Sequence, residues 1–122
     1  MVQGVRGATT VEQNDKEIIF AAVQELLQQL LEKNQIALED IGAAIFSATP
    51  ELNAAFPAAA ARRIGWDNVP LFGTQELDVD NGLQRCIRVL LLVNTEKKQN
   101  EMIHVYLRDS NCLRPDLANQ IG

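Results

Sequence analysis

The chain has little metal-binding or redox chemistry to offer. One histidine, His104, and two cysteines, Cys86 and Cys112, stand among 122 residues. A single histidine excludes a multi-histidine metal site, and no Cys/His spacing suggests zinc. Two cysteines are too few for a disulfide framework. Cys86 sits in a strongly apolar run and reads as core, so a reduced, cytoplasmic setting is the simplest expectation. Basic residues are outnumbered, 11 Lys and Arg against 16 Asp and Glu, which gives a net charge of −5. That shortage argues against a nucleic-acid or anionic-membrane partner, since either needs a basic face. It does not exclude a small anionic ligand, because a few arginines aimed into one dry pocket outweigh the average. Residues 1–7 are short and mixed, and neither a secretory signal nor a membrane span is expected. There is no Gly-x-Ser-x-Gly, no phosphate-cradling glycine loop and no carboxylate pair at helical spacing in a pocket-like setting. Triad and phosphate-loop chemistry are therefore not expected.

What is present is ordinary globular material, 47% hydrophobic and 22% charged, in a length that suits one domain over residues 1–122. Residues 2–10 read as a strand, with Gly4 and Gly7 beside Arg6 allowing something to approach the backbone closely. Asn14 and Glu17 have capping-box spacing, so a helix should start near Asp15. Ile18, Ile19, Ala22, Val23, Leu26, Leu27, Leu30 and Leu31 then recur at helical spacing, and the helix should end near Asn34. Residues 43–48 read as a strand and Thr49-Pro50 as a turn or short helix. Pro57 suits the first turn of a helix over 58–64, which Gly65 can close. Residues 69–74 form a strand that Pro70 keeps at an edge or at its start. Asn81-Gly82 marks a turn. Residues 85–95 are apolar at nearly every position, as in a strand buried on both faces. A strand over 102–107 and a terminal arm over 111–122 complete the chain. The order predicts an α+β fold, a mixed β-sheet with helices packed on one face. The other face is left for oligomerisation to cover.

Arg88 is the residue hardest to place. It interrupts the apolar run 86–93, where burying a guanidinium costs several kcal/mol unless it is paired. Either it makes a structural ion pair with a core carboxylate, or its fork grips the carboxylate of a ligand. Arg6 between two glycines poses the same question more weakly. Arg62 and Arg63 end a short helix, where cations are favourable in any case. Glu76 follows a strand, as a solvated loop acid also would. Tyr106 alternates with His104 along the last strand, and a buried tyrosine spends its hydroxyl on any local partner. Arginines, one glutamate and one tyrosine suit a reaction that needs charge complementarity and little proton transfer.

The run Gly4-Val5-Arg6-Gly7-Ala8-Thr9-Thr10-Val11-Glu12 resembles the start of the monofunctional chorismate mutases of the Bacillus type. Further blocks resemble the same family in the same order. They are Ser47-Ala48-Thr49-Pro50-Glu51-Leu52, Phe56-Pro57-Ala58, Gln75-Glu76-Leu77-Asp78-Val79, Cys86-Ile87-Arg88-Val89, His104-Val105-Tyr106-Leu107 and Leu113-Arg114-Pro115-Asp116-Leu117. The resemblance implies a trimeric pseudo-barrel with three active sites at subunit interfaces. It implies chorismate as substrate, prephenate as product, no cofactor, and a place in phenylalanine and tyrosine biosynthesis. Carried over residue by residue, Arg6 and Arg88 would bind the substrate, Glu76 would meet its ring hydroxyl and Tyr106 would contact a carboxylate. Phe56, Ala58, Arg62, Leu71, Phe72 and Gly73 would line the pocket. Leu113 and Arg114 would come from the tail. Members of the family can carry lysine where Ala59 stands and cysteine where Gly73 stands, so two side-chain contacts are absent here.

Two other classes compete with this reading. One is a trimeric small-ligand binding or regulatory module, since fold does not fix function. The other is a purely structural oligomer with Arg88 in an internal ion pair. The joint presence of Arg6, Glu76, Arg88 and Tyr106 separates the enzyme from the first, and a structure with Arg88 bonded to a protein carboxylate away from any cleft would favour the second.

Overall fold

A computed structural model describes residues 1–113. The helical periodicity of the sequence emerges as α1 (Lys16–Asn34), whose buried stripe includes Ile19, Val23, Leu26, Leu27 and Leu30. Each of these side chains stabilises the fold by about 1.5–3 kcal/mol on burial. The N-cap is Asp15, whose carboxylate accepts the Ile18 N–H at 3.1 Å. The expected Asn14–Glu17 capping box does not form. Asn14 instead ties the helix start to a neighbouring loop, donating to Asn53 Oδ1 and accepting from the Ala54 N–H. Gln35, in the left-handed region at φ 54°, closes the helix with its N–H directed at the Glu32 and Leu31 carbonyls.

Five strands form one mixed sheet: β1 (Val2–Thr10), β2 (Ile41–Ala48), β3 (Leu71–Gln75), β4 (Cys86–Asn94) and β5 (Val105–Tyr106). Their spatial order is β3-β2-β4-β1-β5. β4 lies antiparallel between β1 and β2, while β3 pairs parallel with β2 and β5 parallel with β1. Pro70 precedes an edge strand, where its missing N–H costs no ladder bond. A second helix, α2 (Pro57–Arg63), has Pro57 in its first turn and ends before Gly65, whose φ of 95° suits glycine. Both helices pack on the same side of the sheet, over Val5, Ala44, Phe46, Val89 and Leu91.

Among the described residues, no helix covers the opposite side. β4 is not buried on both faces as expected; it alternates, with Ile87, Val89, Leu91 and Val93 under the helices and Arg88, Leu90 and Leu92 partly or fully open. Register places Ile45 and Ala43 of β2 beside Leu90 and Leu92, and Phe72 beside Ile45. This open face is apolar at its centre, and Phe72 is 66% exposed.

Two other expectations are corrected. The strand expected over 102–107 is confined to Val105–Tyr106. The reason lies one residue upstream, where the Arg6 N–H donates to the imidazole Nδ1 of His104 at 3.0 Å instead of to a strand carbonyl. A short 3-10 helix, Gln99–Glu101, also precedes it. Gly7, one of the glycines beside Arg6, makes room for the helix. A Cβ on Gly7 would lie 2.8 Å from Leu30 Cδ1 and 3.0 Å from Leu26 Cδ1, so Gly7 is what lets α1 seat on β1. The last described element is a 3-10 segment, Arg108–Leu113, held to β1 by Ser110 Oγ donating to the Ala8 carbonyl.

Candidate active site

The sheet register assembles the first group of candidate residues. Arg88 of β4 has Ala8 of β1 on one side and Ser47 of β2 on the other, all on the uncovered face. Glu76 lies one residue beyond β3, where its N–H donates to the Ala48 carbonyl at 2.9 Å. That bond keeps the chain beside the end of β2. Arg88 Nε sits 2.8 Å from Glu76 Oε2, and Ser47 Oγ donates to the same oxygen at 3.0 Å. Arg6, Ser47, Thr74, Arg88, Tyr106 and Leu113 line one cavity of about 260 Å³, with Ile45 and Leu90 as its apolar floor. Arg88 and Leu113 also face an adjoining cavity of about 630 Å³, lined by Glu76 and the loop 77–84.

The burial argument for Arg88 is corrected by this geometry. Its side chain is 46% exposed and that of Glu76 21%. The guanidinium therefore never carries the cost of full burial. It is ion-paired, as one sequence reading expected, yet the pair lies inside a cleft and not in the core. Arg6 is exposed, with its backbone fixed by His104. Tyr106 is buried beside Ala8. Cys86 is buried on the same strand as Arg88, and burial pushes its thiol up to about 11, which leaves it a poor nucleophile.

A second group assembles elsewhere. Phe56, Ala58, Arg62, Leu71 and Gly73 line a cavity of about 460 Å³ between α2 and the edge strand β3. The two cavities share only Thr74. Gly73 and its neighbour Phe72 point to opposite sides of β3. Phe72 belongs to neither cavity and stands on the open face. The twin arginines of α2 are separated by their contacts. Arg63 is held by Glu17 at 2.9 Å and lies 4.3 Å over the Phe20 ring, while Arg62 faces the cavity. A side chain at Gly73 would meet nothing within 4 Å, and Ala59 is half-buried against the core. Arg114 lies outside the described residues.

Sequence reasoning missed Ser47 and Thr74 as site residues. A signal for Ser47 was available, since it is the polar interruption of the apolar strand 41–48, as Arg88 is of β4. Among the described residues, no group of three His, Cys, Asp or Glu could hold a metal ion, and no helix is long and apolar enough to cross a membrane.

Residues 2–117 match the family described as chorismate mutase type I. The chain is 45% identical over 119 residues to the chorismate mutase AroH of Bacillus subtilis, covering 97% of this chain and 94% of that one. It is 50% identical over 120 residues to the chorismate mutase AroH of Thermus thermophilus, covering 98% of each. The chain belongs to the type I chorismate mutases. Its fold agrees with that assignment. A solved chorismate mutase from Clostridium thermocellum superposes with a TM-score of 0.88 at 44% identity, over 89% of this chain and 97% of that one. The family assignment gives the paired Arg88 and Glu76 a reaction to be weighed against.

Proposed function

We propose that this chain rearranges chorismate to prephenate in a homotrimer whose three sites lie between neighbouring chains. The observation that carries the reading is the Arg88–Glu76 pair, in which Arg88 shares one cavity with Arg6 and Tyr106 and the adjoining one with Glu76. The reaction is unimolecular. The ether C–O bond breaks as a C–C bond forms between the enolpyruvyl methylene and the ring, and no proton or electron is exchanged with the protein. The protein must hold the enolpyruvyl chain over the ring and meet charge as it develops.

Negative charge gathers on the ether oxygen and the enolpyruvyl fragment. Arg88 would donate there and to a carboxylate, a fixed cation aimed at charge that grows in the transition state, worth about 3–4 kcal/mol per donor. Glu76 would accept from the ring hydroxyl and complement the positive ring. Arg6 and Tyr106 would orient the carboxylates and raise the share of reactive conformers. The chemistry calls on no cofactor or metal.

The intersubunit site has its own support. Phe56, Ala58, Arg62, Leu71 and Gly73 face one side of β3, while Arg6, Arg88 and Tyr106 lie on the other side of the sheet. One ligand touches both groups only if they come from two chains. Ile45, Phe72, Leu90 and Leu92 supply apolar surface for that contact. Arg114 would join from the tail. The free cysteines suit a cytoplasmic setting, where small anionic intermediates of aromatic amino acid biosynthesis are also soluble.

The test is the loss of the ultraviolet absorbance of chorismate on adding purified, metal-free protein, with prephenate identified as product and the particle mass measured by light scattering. Rapid conversion by a trimer is expected. A folded trimer without conversion would move a ligand-binding role to first place.

A further inference from the structure

We infer that Ser47 is a positioning residue for Glu76, and that its hydroxyl fixes which carboxylate oxygen is offered to the substrate. The inference rests on the reading of Glu76 as the partner of the ring hydroxyl. Glu76 stands just outside β3, at the start of the loop that runs to β4. The backbone bond to Ala48 fixes where its chain passes, not how its side chain points. Among the described residues two groups hold the carboxylate, and both contact Oε2: Arg88 Nε at 2.8 Å and Ser47 Oγ at 3.0 Å. Oε1 is thereby the oxygen available to an incoming hydroxyl.

The two holders differ physically. Arg88 reaches Glu76 at the end of a long, 46% exposed side chain, and such a pair tolerates many geometries. Ser47 is a short post on an inner strand, paired with Thr74 of β3 on one side and Arg88 of β4 on the other. Its Oγ has one rotatable bond and little room to wander. A hydroxyl donor on Oε2 also satisfies part of the negative charge of Glu76, so less of the guanidinium is drawn away from the ligand. Without it, Arg88 is the only side chain among the described residues left on that carboxylate, and substrate and Glu76 compete for the same donors.

The experiment compares Ser47→Ala, Ser47→Thr, Glu76→Gln and the Ser47→Ala/Glu76→Gln double variant in the full chain, by chorismate consumption under saturating and subsaturating substrate. Ser47→Ala should lower kcat about tenfold, equivalent to about 1.4 kcal/mol, and leave KM within about twofold, because the oriented carboxylate matters most as the ring becomes positive. Ser47→Thr restores the hydroxyl on a strand that tolerates β-branching and should return kcat to within about threefold of the parent. The double variant should be no slower than Glu76→Gln, the signature of one residue acting through the other. Normal kinetics for Ser47→Ala beside a slow Glu76→Gln would overturn the inference alone. Normal kinetics for Glu76→Gln would overturn the reading of Glu76 and the inference with it. A slow Ser47→Ala that threonine does not restore, or that adds fully to Glu76→Gln, would show Ser47 acting by another route and would also overturn it.

Discussion

Replacing Arg88 by lysine keeps the charge and removes the fork, and the structure says what that costs. Arg88 spends Nε on Glu76 Oε2 at 2.8 Å, and the terminal nitrogens of a guanidinium carry four further N–H donors. One guanidinium can therefore hold Glu76 and the ligand at once. An ammonium is a single point charge at the end of its stem, and in this setting it serves one of them at a time. The variant loses at least one donor aimed at developing charge, worth about 2.7–4 kcal/mol. At about 1.36 kcal/mol per factor of ten, kcat should fall about 10²–10³-fold. Stability should barely move, because the pair is partly exposed and such pairs contribute about 0–1 kcal/mol. The assay is chorismate consumption at saturation, with circular dichroism and particle mass as controls for folding and assembly. Lysine turnover within about threefold of the parent would refute the argument, because charge without the fork would then be sufficient.

Three further outcomes are expected. Gly7→Ala should destabilise the chain by about 1–3 kcal/mol in denaturant titration, because the new methyl would meet Leu30 Cδ1 at 2.8 Å and Leu26 Cδ1 at 3.0 Å; an unchanged midpoint would mean that α1 gives way freely. Burial opposes the charge on Glu51, but hydrogen bonds from the Thr49 hydroxyl and the Arg85 N–H outweigh it and hold the carboxyl below its usual 4.5. The folded value is depressed, so this contribution is complete above pH 4.5 and fades as pH falls through the folded value. Glu51→Gln should therefore flatten the loss of stability on acidification, read as denaturant midpoints against pH. Arg62→Ala should raise KM about tenfold or more, as expected for a lost hydrogen bond to a charged group. Arg63→Ala, which removes only the contacts to Glu17 and Phe20, should leave kinetics unchanged and cost about 1 kcal/mol of stability or less; equal effects on KM would refute the division of labour.

The elements that were legible are those whose periodicity has one cause. The stripe Ile19 to Leu30 is apolar because one helix face is buried, and α1 follows it from Lys16 to Asn34. Pro57 and Gly65 bracket α2 through backbone geometry alone. What misled were signals with two possible causes. Asn14 has a cap's chemistry, yet its amide serves Asn53 and Ala54 while Asp15 caps the helix. Gly7 marks a close approach, but the approaching group is leucine from α1 and not a ligand. Residues 102–107 have strand composition, but the Arg6 N–H that would continue the ladder is taken by His104. Apart from the Asp15 cap, none of these pairings is local, so none is written in the spacing of neighbouring residues.

The largest misreading concerns β4, and it bears directly on the site. Cys86 to Val93 is apolar on both faces except at Arg88, so the sequence pattern predicts a strand buried on both faces. In the chain itself Ile87, Val89, Leu91 and Val93 are covered, while Leu90 and Leu92 are only partly so, with Ile45 beside Leu90 and Phe72 beside Ile45. A leucine face left to water is hard to explain for a lone chain and is what a subunit contact requires. In the proposed trimer both faces of β4 are buried, one by α1 and α2 and the other by a neighbouring chain. The sequence would then describe the assembled state, which one chain does not show. Arg88 breaks the pattern where that second apolar face gives way to the cleft, with Arg6, Tyr106 and Glu76 around it. The same face would then bury its leucines between subunits and aim its arginines at a dicarboxylate at their edge, so assembly and binding would depend on one run of residues.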